Sequence, residues 1–236
     1  MNDRVVRRNA AILSDLGIPL ARSAKILDYG CGSGVHAAAY REEGYEAWGC
    51  DIVLERPAEF LRTMSAADFR IPFDDASFDF VYSNSVLEHV GDHRIAAAEL
   101  ARVMKPGGLA LHNFPSKWRP IEPHVFVPLA TVFRPWWWLR LWAGLGRRNS
   151  FQSGMHPREV AEKNKEYLRI CTNYQSKSEM ARWFRGHFSE VKYLGLMMLK
   201  HEIGRANKYV YPVARWLPPL AEVYGILHTR MLFLRK

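Results

Sequence analysis

Cysteine is scarce. The 236 residues hold three, Cys31, Cys50 and Cys171, and no two of them form a C-x-x-C pair. That excludes a zinc ribbon and a disulfide framework, so no metal site is expected, and it fits a reducing, cytoplasmic setting. Long unbroken apolar runs are missing too. The richest stretch, Val125 to Leu145, is interrupted by Arg134, Pro135 and Arg140 and falls short of the roughly 20 apolar residues that a spanning helix needs. Met1 to Arg8 is charged and no apolar core follows it, so no secretory leader is expected. There are no internal repeats and no low-complexity tract. Acidic residues thin out in one half only. Residues 1–116 carry 12 Lys/Arg against 16 Asp/Glu, whereas residues 117–236 carry 21 against 8. Seven of the eight tryptophans also fall in the second part. A basic, aromatic surface attracts phosphate, anionic lipid or nucleic acid; a solvated surface over a tryptophan-containing core accounts for the same pattern. The hydrophobic content of 48% suffices for one sizeable core, and residues 1–236 are expected to form a single domain.

What is present is organised around Lys25-Ile-Leu-Asp-Tyr-Gly-Cys-Gly-Ser-Gly34. An apolar pair leads to Asp28. Gly30, Gly32 and Gly34 then alternate with Cys31 and Ser33, and a run of good helix formers follows. The pattern predicts a strand, a tight glycine turn and a helix. Glycine accepts positive φ and lets a ligand lie against the backbone, beside the free N–H groups of the helix start. A dinucleotide fingerprint requires G-x-G-x-x-G; here Val35 stands where its third glycine would be. An acid ahead of the glycines repels a pyrophosphate and suits an ammonium group. Asp51 ends a second strand-like run, Ala47 to Ile52, where an acid can accept hydrogen bonds from ribose hydroxyls. Together these features suit an amino acid joined to a nucleoside, which describes S-adenosylmethionine.

D-x-G-C-G-x-G followed by a strand-end acid resembles the class I, Rossmann-like S-adenosylmethionine-dependent methyltransferases. The resemblance continues through Asp68 to Val81, Ser83-Asn-Ser-Val-Leu-Glu-His-Val90 and Leu100 to Gly108, and so covers about residues 20–115. It is nearest to the UbiE-like small-molecule group. It implies an α/β fold: a sheet of about seven strands, the last antiparallel, helices on both faces, and here an aromatic-rich insertion after strand 5. It also implies S-adenosyl-L-methionine as cofactor, released as S-adenosyl-L-homocysteine. The cofactor-binding residues it implies are Asp28, Gly30, Cys31, Gly32, Gly34, Asp51, Ile52, Asp68, Phe69, Asn84, Ser85 and His89. Asp68 matches the family's acid that accepts from the adenine amino group, and Ile52 is placed to pack on the adenine face.

Along the chain, helices are expected over residues 2–18, 35–43, 54–63 and 94–104, the last capped by Asp92 and stopped by Pro106-Gly-Gly108. Strands are expected at 25–29, 46–50, 65–67, 78–82 and 109–114. Pro157 to Leu168 and the segment opened by the Ser176-x-x-Glu179 capping box read as helices. Residues 190–199 and 226–234 read as the last two strands. Residues 116–155 and 200–224 are insertions on the acceptor side. The aromatic run 125–148 suits a lid, an interfacial segment touching a membrane, or a buried subdomain core.

Strand ends face the ligand crevice in open α/β sheets, so the loop after strand 4 should meet the transferred methyl. His89 lies there. Ile121-Glu-Pro-His124 gathers a second imidazole with a carboxylate. A hydroxyl nucleophile needs a base, and histidine titrates in the useful range; His89 and His124 are the catalytic candidates, His124 oriented by Glu122. Strand 4 lacks the Asn-Pro-Pro-Tyr element of adenine-amino methyltransferases and the Pro-Cys element of cytosine C5 chemistry. Three functions compete. One is methyl transfer to a small amphipathic, lipid- or sugar-linked acceptor. A second is methylation of RNA through the basic half, and the third is a non-catalytic cofactor-binding adaptor at a membrane surface or a protein. The first is favoured, with a cytoplasmic location that includes a peripheral membrane contact.

Overall fold

Lys25-Ile-Leu-Asp-Tyr29 alternates so that Ile26 and Leu27 pack on opposite faces of a sheet, and both are fully buried. A strand buried on both faces needs parallel neighbours and helices above and below. The computed structural model describes residues 3–202 and 205–236, and it places this strand, β1 (Lys25–Tyr29), inside a seven-stranded sheet. The other strands are β2 (Glu46–Asp51), β3 (Leu61–Thr63), β4 (Phe78–Asn84), β5 (Met104–Pro115), β6 (Glu190–Tyr193) and β7 (Thr229–Arg235), in the order β3-β2-β1-β4-β5-β7-β6. β7 runs antiparallel between β5 and β6; the pairings among β3, β2, β1, β4 and β5 are parallel. This is the Rossmann-like methyltransferase sheet.

Ten helices accompany it among the described residues: α1 (Asp3–Asp15), α2 (Val35–Glu42), α3 (His93–Val103), α4 (Trp136–Gly144), α5 (Pro157–Ile170), α6 (Lys177–Arg185), α7 (Gly195–His201), α8 (Arg205–Tyr209), α9 (Tyr211–Ala214) and α10 (Pro219–Leu227). One face of the sheet packs with α3 and α6 through Leu100, Val103, Met180 and Phe184. The other packs with α1, α2 and α7 through Ile12, Leu13, Tyr40 and Met198. α1 is thus a packing helix. Asn2, the first residue of the expected helix, lies outside the described residues, as do residues 203–204 of the second expected insertion. Asp92 caps α3 by accepting from the Arg94 N–H, and the Ser176–Glu179 capping box opens α6. Pro106-Gly-Gly108 does follow α3, but inside β5, as a bulge that shifts the register against β4.

Four expectations change. Residues 54–60 form no helix, and β3 is Leu61–Thr63 rather than 65–67. Pro57 disfavours helical geometry at Arg56, and buried Leu61 is drawn against Cys31 and Ala37. The strand expected over 190–199 stops at Tyr193 and turns into α7 at Gly195. A Cβ on Gly195 would approach the Ala221 carbonyl oxygen at 3.3 Å, so glycine lets the two helices meet. The last strand starts at Thr229, because Pro218-Pro219 starts α10 and Ile226 and Leu227 belong to that helix.

The aromatic run after β5 builds its own small core. Val125, Val127, Ala130 and Leu139 pack with Ala161 and Leu168 of α5, flanked by Trp136, Trp138, Trp142 and Tyr167. Trp138 donates to the Pro128 carbonyl at 2.7 Å, and Arg134 ties the carbonyls of Ala130, Thr131 and Leu168. Trp137, Leu141 and Leu145, four residues apart on α4 and beyond its end, face outward and are exposed. Among the described residues no helix is long and apolar enough to cross a membrane.

Candidate active site

All three glycines of the turn after β1 have left-handed backbones, with φ of 73° at Gly30, 51° at Gly32 and 74° at Gly34. Any other residue type would be strained there. A Cβ on Gly30 would also overlap the Val86 side chain, and one on Gly34 would meet Leu61 at 2.7 Å. The turn is tied to β2: the N–H groups of Gly30 and Cys31 donate to the Cys50 carbonyl, and that of Gly32 donates to Asp51 Oδ2 at 2.7 Å. Asp28 lies beneath the turn, fully buried, its Oδ2 accepting from the Ala37 N–H at 3.3 Å. Burial pushes its carboxyl up to about 7; the Ala37 N–H works the other way and Asp51 adds to the rise.

A cavity of about 240 Å³ opens where β1, β2 and β4 end. Its walls are Tyr29, Gly30, Asp51, Ile52, Met64, Phe69, Ser85, Val86, His89 and Val90. Six of the expected cofactor residues therefore line it: Gly30, Asp51, Ile52, Phe69, Ser85 and His89. Asp28, Cys31, Gly32 and Gly34 form the layer behind, with the Cys31 side chain packed on Gly49. Two expected residues stand apart from the walls. Asn84 accepts from Asn113 Nδ2 at 2.8 Å, and the exposed Asp68 accepts from the Arg70 N–H. Phe69 and Ser85 carry φ of 55° and 56°. Non-glycine residues in that region store strain, a feature that gathers at ligand clamps. Met64, Val86 and Val90 were not anticipated; their positions just beyond strand ends were the available signal.

His89 closes this cavity. It ends the short helical turn Leu87–His89, and its Nδ1 sits 2.5 Å from the Cys171 carbonyl oxygen. A carbonyl can only accept, so Nδ1 carries the proton and Nε2 keeps its lone pair. Burial lowers its pKa, partly offset by that carbonyl. His124 comes from the loop after β5. The two rings meet edge to face with centroids 4.8 Å apart. Glu122, completely buried, accepts from His124 Nδ1 at 2.8 Å, from the Tyr174 hydroxyl at 2.6 Å, and from the backbone N–H groups of His124 and Val125. Burial opposes ionisation of Glu122, but the hydrogen bonds from His124, Tyr174 and Val125 outweigh it and hold its carboxyl below the usual range. His124 Nε2 is left with its lone pair. Glu88, beside His89, is 1% exposed and neither carboxylate oxygen has a hydrogen-bond partner among the described residues. Burial pushes its pKa up to about 7.

His124 also borders a second cavity, of about 550 Å³, in the segment after β5. Phe126, Met155 and Tyr167 supply apolar walls; Asn164, Gln152 and Lys163 supply polar groups. Gln152 donates to Asn164 Oδ1 at 2.6 Å, and Asn164 Nδ2 is buried with no hydrogen-bond partner among the described residues. The histidine pair is thus the partition between two cavities.

A parallel sheet feeding three left-handed glycines, with an acid at the end of its second strand, defines a class I methyltransferase fold. The chain belongs to the S-adenosylmethionine-dependent methyltransferases: the profile of the methyltransferase-domain family matches residues 1–187. Among curated relatives, the chain is 33% identical over 140 residues to malonyl-[acyl-carrier protein] O-methyltransferase of Enterobacter lignolyticus, covering 52% of this chain and 55% of that one. It is 29% identical over 139 residues to dimethylglycine N-methyltransferase of Parasynechococcus marenigrum, covering 52% and 48%. The chain spans about half the length of these relatives. Similar solved structures include a sarcosine dimethylglycine methyltransferase from Galdieria sulphuraria, described as putative (TM-score 0.52, 18% identity, 98% of this chain and 86% of that chain). Another is Haemonchus contortus phosphoethanolamine N-methyltransferase 2 in complex with S-adenosyl-L-methionine (TM-score 0.54, 17% identity, 98% and 52%). Both share the fold. The left-handed glycines, the buried Asp28 and the strand-end Asp51 fit the family's cofactor, S-adenosyl-L-methionine.

Proposed function

We propose that the protein transfers a methyl group from S-adenosyl-L-methionine to a small amphipathic, lipid- or sugar-linked acceptor held in the 550 Å³ cavity. The observation that carries this reading is the histidine pair, with one ring on the wall of each cavity. When bound, the cofactor supplies an electrophilic methyl on a sulfonium. The chain supplies the rest. The glycine turn lets the amino-acid end lie against the backbone, with Asp28 beneath it as counter-charge. Asp51 accepts from the ribose hydroxyls, and Ile52 and Phe69 border the base. The apolar walls of Phe126, Met155 and Tyr167 seat the acceptor, while Asn164 Nδ2 and Lys163 meet an oxygen-bearing or anionic group on it. Alignment of acceptor and methyl accounts for much of the rate. For a hydroxyl acceptor, His124 Nε2 would take the hydroxyl proton as the oxygen accepts the methyl, with S-adenosyl-L-homocysteine the product of the donor. Glu122 stabilises the imidazolium so formed. Relatives that carry O- and N-methyltransferase names do not choose the acceptor atom.

The exposed Trp137, Leu141 and Leu145 stripe, beside Arg140 and Arg147, supports a peripheral membrane contact, with indoles at headgroup depth and arginines reaching phosphate. The deciding experiment is turnover of methyl-labelled cofactor against fractionated cell extract. Label in a lipid, glycan or small-molecule fraction is the expected result. Label confined to RNA would replace this reading with the RNA-directed one, and no transfer into any fraction would remove both.

A further inference from the structure

Glu88, His89 and His124 form a cluster that proton transfer alone does not explain. Each offers one donor atom, and the three lie within 4.8 Å of one another. His89 Nδ1 is engaged by the Cys171 carbonyl and His124 Nδ1 by Glu122. Both imidazoles therefore present a free Nε2 lone pair. Metal-binding histidines are held in this way, with the far nitrogen donating to a carbonyl or a carboxylate that fixes the tautomer and raises basicity. The third donor is the more telling one. Glu88 is buried with no hydrogen-bond partner for either oxygen, and one of those oxygens lies 3.9 Å from His89 Nε2. A buried carboxylate without a partner is costly. A cation among these three atoms would supply the partner.

We infer that Glu88, His89 and His124 form a binding site for one divalent first-row transition metal ion, held on the partition between the two cavities. Two imidazole nitrogens and one carboxylate oxygen are a donor set for Zn²⁺, Fe²⁺, Mn²⁺ or Co²⁺ rather than for Mg²⁺ or Ca²⁺, which prefer all-oxygen shells. Bonds of about 2.0–2.2 Å bring tetrahedral donors to roughly 3.5 Å apart, so loading draws the three side chains together by about an ångström. Three protein ligands leave at least one open position. Resting on the proposed methyl transfer, that position would take an oxygen of the acceptor and acidify it, as bound cations do. The lone pair of His124 is then committed to the metal, and the proton of the cation-acidified acceptor oxygen passes to solvent water instead of to His124. The site explains why the chain needs no cysteine pair to bind metal: the ligands come from the turn after β4 and from the loop after β5, which no linear spacing reveals.

The test uses the full chain, stripped with chelator and dialysed, titrated with Zn²⁺ and separately with Co²⁺ by calorimetry, with metal content read by mass spectrometry. S-adenosyl-L-homocysteine is titrated independently on the same samples. One equivalent of metal per chain is expected, and the Co²⁺ form should show the visible d–d bands of a low-coordinate nitrogen and oxygen site. Glu88→Gln, His89→Ala and His124→Ala should each weaken binding at least tenfold. Glu122→Gln, a positioning change, should weaken it by about 10–100-fold. His201→Ala, at a surface histidine paired with Asp15, should leave it unchanged. Should Glu88→Gln fail to fold, His124→Ala with its lost Co²⁺ spectrum carries the test. Failure of the unaltered protein to take up either metal, or equal affinity in His124→Ala, overturns the site. Loss of S-adenosyl-L-homocysteine binding in the unaltered chain would instead overturn the methyltransferase reading and leave the metal result standing.

Discussion

His89 and His124 meet edge to face at 72° with their centroids 4.8 Å apart, one ring carried by the sheet scaffold and the other by the segment after β5. Each has its Nδ1 occupied and its Nε2 free. The contact joins the cavity at the ends of β1, β2 and β4 to the cavity in the segment after β5.

Removal of His124 should separate chemistry from cofactor binding. With a hydroxyl acceptor, His124→Ala should lower kcat by about 10²–10⁴-fold, while S-adenosyl-L-homocysteine affinity stays within about twofold. Single-turnover transfer and calorimetry measure the two. An unchanged kcat would dismiss His124 from the reaction.

Asp28 should make cofactor binding release protons. Its carboxyl titrates near 7 in the ligand-free fold because of burial, and an ammonium group settling above it favours the ionised form. Below pH 7 the ligand must therefore displace a proton, and affinity should fall as pH drops. Calorimetry at pH 6.5 in buffers of different ionisation enthalpy would show the release; Asp28→Asn should abolish it and bind more weakly.

The same carboxyl should weaken the ligand-free fold as pH rises from acid to neutral. Its folded pKa lies above the ordinary aspartate value, so the unfolded chain loses this proton first. Stability is then full below about pH 4 and declines as pH rises to about 7, by up to about 4 kcal/mol for three units of displacement. Asp28→Asn should raise Tm relative to the unaltered protein at pH 8 and much less at pH 5. Equal differences at both values would contradict it.

Gly30→Ala combines a left-handed backbone with a Cβ that overlaps Val86. It should destabilise the fold by about 1–3 kcal/mol and weaken cofactor binding at least tenfold, read from thermal unfolding and calorimetry. Gly17→Ala, also at positive φ but with open space around it, should lose stability and keep its cofactor affinity.

The two kinds of tryptophan in the segment after β5 should part company. Trp138→Ala removes a packed ring and its bond to Pro128, at about 3 kcal/mol. Trp137→Ser with Leu141→Ser changes exposed positions; Tm should hold while flotation with anionic vesicles is lost. Flotation equal to the unaltered protein would rule out the membrane contact.

The sheet was legible because its signals are local. Asp28, the glycines and Asp51 lie within one βαβ unit, and their spacing already implies strand, turn, helix and strand. The misread segments are those where a mostly apolar stretch passes from one period to another within a few residues. In residues 190–199 and 226–234 apolar residues run across the joint between strand and helix, and the marks are small: Gly195 where β6 gives way to α7, and His228 to Arg230 where α10 gives way to β7. At the site, His89, His124 and Glu122 could be picked out by residue type. Their meeting, and the inclusion of Glu88 and Tyr174, could not, because it depends on how the loop after β5 folds back over β4. Tyr174 and Cys171 arrive from after α5, a distance no motif spans.

The place of β7 between β5 and β6 has a consequence for how this molecule is made. Among the described residues, Glu190–Tyr193 has no strand beside it except Thr229–Arg235, which leaves the ribosome about forty residues later in the chain. Until then the β5 edge stands open, a strip of unpaired amides and carbonyls ready to recruit any extended peptide. The cavity at the ends of β1, β2 and β4 belongs to strands made earlier, although His89 on its wall waits for Cys171 to be made. The strands whose ends frame the proposed cofactor cleft are therefore translated before the two that complete the sheet.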